Sequence, residues 1–145
     1  MIKNALSIVG YLIAITGVLW LVAIKHLFAS APLLIFFQFS SALLMLWARM
    51  TFGVRSFHPL AKTTEGALVT TGPYRYWRHP IYASILYFVW IGQVDAPSAL
   101  AICLAVAVTL GLLLRMLLEE NFLTATYPEY PQYMRRAKRF VPFLL

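Results

Sequence analysis

Residues 98–118 read SALAICLAVAVTLGLLLRMLL, with Arg115 the single charged residue in the run. A helix of this length rises 1.5 Å per residue and spans about 31 Å, close to the hydrocarbon thickness of a bilayer. Two further runs, Ala5–Ile24 and Pro32–Ala48, reach spanning length, and a fourth, Ile81–Val94, is short for a span. It is joined to residues 98–118 by Asp95-Ala96-Pro97, so the two are expected to form a tight helical hairpin. The shorter member would be tilted, partly shielded by protein, or re-entrant. Gln38, Ser40 and Ser41 in the second run are placed to hydrogen-bond neighbouring helices.

The composition agrees. Of 145 residues, 61% are hydrophobic and 12% charged, and the mean hydropathy is +0.77. Soluble domains carry about 25% charged residues, and a soluble chain of this size cannot bury so much apolar surface. The net charge of +7 would suggest a nucleic-acid partner in a soluble chain. Here the charges are confined between apolar runs, so membrane topology and anionic head groups explain them and nucleic acid is not expected. Cys103 stands alone in an apolar run and reads as a small hydrophobe. A cleavable leader is the alternative reading, because Lys3 precedes the first run and Ala29-Ser30-Ala31 resembles a cleavage site. The run exceeds a typical leader core, and Lys25-His26 interrupt it first, so an intact span is expected.

The expectation is therefore an all-α, multi-pass membrane protein with about four spans, residues 1–145 forming one integral membrane domain. Residues 1–48 would supply two N-terminal spans. Residues 49–145 would supply the core and, from Glu119 on, an interfacial helical tail rich in tyrosine and arginine. The polar stretch Arg49–His79, which includes Arg55, His58, Lys62 and Glu65, and the tail hold most of the Lys and Arg, whereas the 93–98 connection holds none. The positive-inside rule then puts stretch, tail and both termini in the cytoplasm, with Lys25 a minor dissent.

Two clusters carry chemistry. The first, Thr71-Gly72-Pro73-Tyr74-Arg75-Tyr76-Trp77-Arg78-His79-Pro80-Ile81-Tyr82, runs into the third helix. Pro80 suits a first helical position, and it holds His79 in a cap conformation. The N–H groups of Ile81, Tyr82 and Ala83 would then face an anion, with Arg78 and His79 beside them. A basic, aromatic head-group anchor is the bland alternative. The second, Arg115-Met116-Leu117-Leu118-Glu119-Glu120, is expected to close the fourth helix. Acids there oppose the helix dipole, and ionisable groups at membrane depth are functional candidates. Arg115 and Glu119, four apart, share a face and can neutralise each other, which is the plainer reading. Together the clusters suit a ligand with both an anionic and a cationic group, a zwitterionic nucleoside cofactor among them. Neither a dinucleotide-binding glycine pattern nor a phosphate-binding loop occurs, metal-ligand spacing is absent, and no nucleophile motif is present.

Residues 72–82 resemble the G-P-Y-x-x-x-R-H-P-x-Y motif of the isoprenylcysteine carboxyl methyltransferase and phospholipid methyltransferase superfamily. Glu119-Glu120-Asn121-Phe122-Leu123, Tyr127-Pro128-Glu129-Tyr130, Tyr133 and Arg139-Phe140-Val141-Pro142 resemble the series that follows it. The resemblance covers residues 68–142. It implies a membrane-embedded methyltransferase that takes S-adenosylmethionine at the cytoplasmic surface and a lipophilic acceptor from the bilayer, either an isoprenylcysteine-like carboxylate or a lipid head group. Carried over by position, Tyr74, Arg78, His79, Pro80 and Tyr82 would line the cofactor site. Glu119 and Glu120 would bind its amino or ribose groups, and Tyr130 and Tyr133 would close over it. Arg115 and Arg139 would lie near the acceptor. A carboxylate acceptor needs only a cation to hold it, whereas an ammonium acceptor needs a base, for which Glu120 is the candidate. Departures are Ser84, where the family often has Gly, Tyr127-Pro128 in place of F-G, and Lys138, where Pro is common. An NADPH-dependent reductase of the related sterol-reductase type and a non-catalytic lipid-binding protein are the competing readings. The oligomeric state is left open.

Overall fold

The computed structural model describes residues 2–53 and 67–140. Arg55, His58, Lys62 and Glu65 of the polar stretch, and Val141 and Pro142 of the tail motif, lie outside the described residues. The described residues form five α-helices: α1 Ile2–Ala23, α2 Pro32–Phe52, α3 Pro80–Asp95, α4 Ala99–Thr126 and α5 Tyr130–Arg136. A 3-10 turn, Gly72–Arg75, precedes α3. Among the described residues three helices, α1, α2 and α4, are long and apolar enough to cross a membrane, against about four spans expected. With 16 residues, α3 rises only about 24 Å, short of a hydrocarbon core of about 30 Å. Their outward faces present Leu12, Leu19, Phe36, Phe39 and Leu110, each more than half exposed, a surface that suits lipid and not water.

Helices α1 and α4 run antiparallel and in close contact. The buried face of α1 is Ser7, Gly10, Ala14, Gly17 and Leu21, the small-residue spacing that lets membrane helices approach. A Cβ on Gly10 would lie 2.7 Å from the Gly111 carbonyl oxygen, and one on Gly111 would lie 2.6 Å from that of Gly10. The contact is backbone to backbone, so a side chain at either position forces the helices apart. The connection from α3 to α4 is as short as expected, but α3 packs chiefly on α2, and α4 chiefly on α1.

At the end where α1 meets α2 and α3 meets α4, polar side chains serve the backbone. Gln38 donates to the carbonyls of Leu27 at 2.8 Å and Phe88 at 3.0 Å and accepts from the Ala29 N–H. Ser40 and Ser41, expected to reach other helices, instead bond to Phe36 and Phe37 one turn back in α2, the usual resort of a hydroxyl on a helix. Gln93 donates to the His26 carbonyl, and His26 Nδ1 lies 2.7 Å from the Ala96 carbonyl. Asp95 accepts from the backbone N–H and hydroxyl of Ser30.

The other end differs from the sequence expectation in one respect. Helix α4 does not close at Glu119-Glu120 but continues to Thr126. Nothing in Asn121–Thr126 stops a helix, and the break comes where Pro128 forces Tyr127 into extended backbone, φ −113° and ψ 110°. The two acids therefore lie inside the helix, and the unfavourable dipole argument does not apply to them.

Candidate functional site

The local geometry begins at Gly72, whose φ of +57° favours glycine. A Cβ there would also lie 2.6 Å from the Thr51 hydroxyl at the end of α2. The chain then turns through Pro73 and reaches His79, which caps α3 with φ −127° and ψ 61°, and Pro80 takes the first helical position as expected. Of the three N–H groups expected to be open, that of Ala83 is already bonded to the His79 carbonyl at 2.9 Å. Helix α3 thus offers fewer free donors than the sequence suggested.

The two acids gather the rest. Arg78 Nη1 lies 2.9 Å from Glu120 Oε1, His79 Nε2 lies 3.3 Å from the same oxygen, and Arg139 Nη2 lies 2.9 Å from Oε2. Glu119 Oε1 accepts from the Tyr82 hydroxyl at 2.5 Å and pairs with Arg115 Nε at 3.2 Å. Arg115 Nε also donates to the Tyr82 oxygen at 2.7 Å, closing a triangle. The His79 and Tyr82 rings stack, 5.6 Å apart and 7° from parallel, and His79 Nδ1 is 3.8 Å from Glu119. His79 therefore bridges both acids. The side chains of Arg78, His79, Arg115 and Glu120 are about nine-tenths buried or more, while that of Arg139 is 43% exposed. Three guanidiniums face two carboxylates, so the cluster carries at least one surplus positive charge. Both Glu120 oxygens are engaged by cations, an arrangement that holds a carboxylate in place and leaves it little room to act as a base.

The tail is pinned over this cluster. Arg78 N–H donates to the Lys138 carbonyl at 2.6 Å and Lys138 N–H to the Tyr76 carbonyl at 3.0 Å. A proline at 138 could not make the second bond, so the departure from the family pattern closes the tail more firmly here. The Tyr87 hydroxyl donates to the Phe140 carbonyl and Tyr133 to that of Tyr74 at 2.7 Å. Tyr74 and Tyr133 thus fasten the tail to the 74–77 turn, and neither is joined to the acids by a hydrogen bond. Burial pushes the phenols of Tyr74, Tyr130 and Tyr133 above their ordinary range, so all three stay protonated. Tyr130, 1% exposed, lies within side-chain reach of Arg78, but neither its hydroxyl nor the Arg78 Nε, both buried, makes a hydrogen bond of good geometry among the described residues. Unpaired buried donors of this kind are costly.

Two residues at the site were not anticipated. Ser7, fully buried in α1, has its hydroxyl 3.4 Å from Arg115 Nη1, and the Arg115 guanidinium lies over the Tyr11 ring at 4.9 Å. A serine and a tyrosine inside a long apolar run read as packing, and only the register of α1 on α4 reveals them. No group of three or more His, Cys, Asp or Glu able to hold a metal ion occurs among the described residues.

An all-helical bundle with three spanning-length helices suits an integral membrane protein, with a buried cluster of arginines and acids at one end. Residues 26–130 match the family model described as phospholipid methyltransferase, and the chain belongs to that family, one of methyltransferases. Among similar proteins, the cobalt-zinc-cadmium resistance protein CzcN of Cupriavidus metallidurans is 36% identical over 81 residues, which are 55% of this chain and 38% of the relative. The nickel-cobalt-cadmium resistance protein NccN of Alcaligenes xylosoxydans xylosoxydans is 38% identical over 84 residues, 57% of this chain and 38% of the relative. The chain thus spans well under half the length of these relatives. No solved structure matches it.

Proposed function

We propose that the chain is a membrane methyltransferase that uses S-adenosylmethionine and transfers the methyl group to a lipophilic acceptor, with its site at the cytoplasmic end of the bundle. The observation that carries this reading is the pair of unpartnered buried donors, Arg78 Nε and Tyr130 hydroxyl, beside a cluster of both charge signs. An amino-acid carboxylate suits those donors, and an amino group or ribose hydroxyls suit Glu119 and Glu120. When bound, the cofactor supplies an electrophilic methyl group on a sulfonium.

The residues then have separable tasks. Arg78, His79 and Tyr130 bind, and Glu119 and Glu120 orient. The pinned tail excludes water from a reaction that needs close, aligned partners. Arg139, the most exposed of the cations, is best placed to meet an acceptor group, and the surplus positive charge favours an anionic one such as a carboxylate. That choice also removes the need for a base, in keeping with the engagement of both Glu120 oxygens. A lipophilic acceptor is in keeping with a half-open apolar groove of about 240 Å³ between α1, α2 and α3. Ser84 and Ile85, which follow Tyr82 in α3, are among its lining residues. The cytoplasmic assignment rests on Arg75, Arg78, Arg135, Arg136, Lys138 and Arg139, which all belong to the site end. The N-terminal end of α1 shares that end through Ser7.

The test is calorimetric titration of detergent-purified protein with S-adenosylhomocysteine, alongside the Glu119→Gln, Glu120→Gln double variant. Saturable binding lost in the double variant is the expected result. A well-folded parent chain that binds nothing would overturn the reading.

A further inference from the structure

We infer that α1, which lies outside the matched residues 26–130, is part of the site, with Tyr11 and Ser7 as positioning residues that hold Arg115 in its triangle with Tyr82 and Glu119. The inference rests on the cofactor reading above. Arg115 belongs to a spanning helix, and its side chain is 5% exposed. A guanidinium at that depth takes its partners from the protein. One edge is taken by Tyr82 and Glu119, at 2.7 and 3.2 Å through Nε. From α1, the Ser7 hydroxyl lies 3.4 Å from Nη1 and the Tyr11 ring covers the guanidinium carbon at 4.9 Å. A cation over an aromatic face is attracted most strongly where water is excluded. The arrangement needs α1 and α4 to meet backbone to backbone, and the Gly10–Gly111 contact supplies this one turn from Arg115. Without the α1 contacts, fewer contacts hold Arg115 Nε against Tyr82 and Glu119. The Glu119 carboxylate is then fixed less firmly, and a group bound by Glu119 is held less well.

The experiment is a double-mutant cycle read as affinity for S-adenosylhomocysteine by calorimetry. Tyr11→Leu keeps an apolar residue on α1 but removes the aromatic face, and should weaken binding about fivefold. Tyr11→Phe keeps the face and should bind within about twofold of the parent chain. In an Arg115→Met background, Tyr11→Leu should change affinity no further, because the partner it positions is gone. Ser7→Ala should behave as Tyr11→Leu does, with a smaller effect. Equal losses in Tyr11→Phe and Tyr11→Leu, or a Tyr11→Leu effect that persists in the Arg115→Met background, would reduce Tyr11 to a packing residue and overturn the inference. So would parent-like affinity in Tyr11→Leu. A parent chain that binds no S-adenosylhomocysteine overturns the cofactor reading, and this inference with it, a result distinct from failure of the variants alone.

Discussion

The two ends of the same bundle treat buried polar groups differently. At the end near Asp95, Gln38, Gln93 and His26 are paired with backbone groups, and the one buried side-chain atom left over is the neutral acceptor Gln93 Oε1. At the end near Glu120, side chains pair with side chains, a surplus cation remains, and the leftovers are a guanidinium N–H and a phenol. Both ends join helices, but only the second spends buried charge on doing so, since Asp95 at the first is exposed. Backbone pairing would hold the helices at lower cost, so a charged end that keeps unpaired donors agrees with the binding role proposed for it.

The largest expected effect breaks this contrast from the charged side. Glu120→Ala removes the anion between Arg78, His79 and Arg139, leaving two largely buried basic groups facing each other. Unfolding free energy should fall by about 3 kcal/mol, discounted for the exposure of Arg139, and S-adenosylhomocysteine binding should vanish. Thermal unfolding in detergent and calorimetry check the two halves. At the opposite end, Gln38→Ala unpairs the Ala29 N–H and two carbonyls and should cost about 2 kcal/mol, while cofactor affinity in the folded protein stays at the parent value. If Gln38→Ala weakened binding as much as Glu120→Ala, the division between a structural end and a binding end would be wrong.

A smaller effect tests the charged end itself. Arg139 is half in solvent, so Arg139→Ala should shift the unfolding midpoint little. If it meets the acceptor, methyl transfer should fall roughly tenfold, mostly in KM for the acceptor, while S-adenosylhomocysteine affinity moves by less than about threefold. A loss confined to cofactor affinity would move Arg139 from the acceptor to the cofactor.

The sequence made some of this legible and concealed the rest for physical reasons. Apolar runs locate the helices because length and hydropathy decide what a bilayer accepts, and the i,i+4 spacing of Arg115 and Glu119 shows their pairing directly. Pro80 fixes the start of α3, since a proline suits so few helix positions. The sequence suggests an end of α4 at Glu120 because two acids look like a terminus, although the chain has no stop before Pro128 and the helix runs to Thr126. Gln38 was legible as a hydrogen-bonding residue, but its partners, the carbonyls of Leu27 and Phe88, follow only from how the helices pack. Ser7 and Tyr11 carry no local mark, since their importance comes from Arg115, more than a hundred residues later. Lys138 looked like a defect in a motif, yet its backbone N–H proves to be the feature that closes the tail.

The least expected effect lies at Asp95. Hydrogen bonds from the Ser30 backbone and hydroxyl hold its carboxyl below the ordinary value of 3.8. A group lowered on folding contributes stability that is fully present above its unfolded value and is lost as pH falls through its folded one. The parent chain should therefore lose part of its thermal midpoint as pH drops below about 4, a loss that Asp95→Asn lacks because it has no carboxylate to protonate. The side chain is exposed, so the change should be slight near neutral pH, and cofactor affinity should not change with it. A pH-dependent fall of the same size in Asp95→Asn would show that the acid lability comes from groups other than Asp95 and would overturn this assignment.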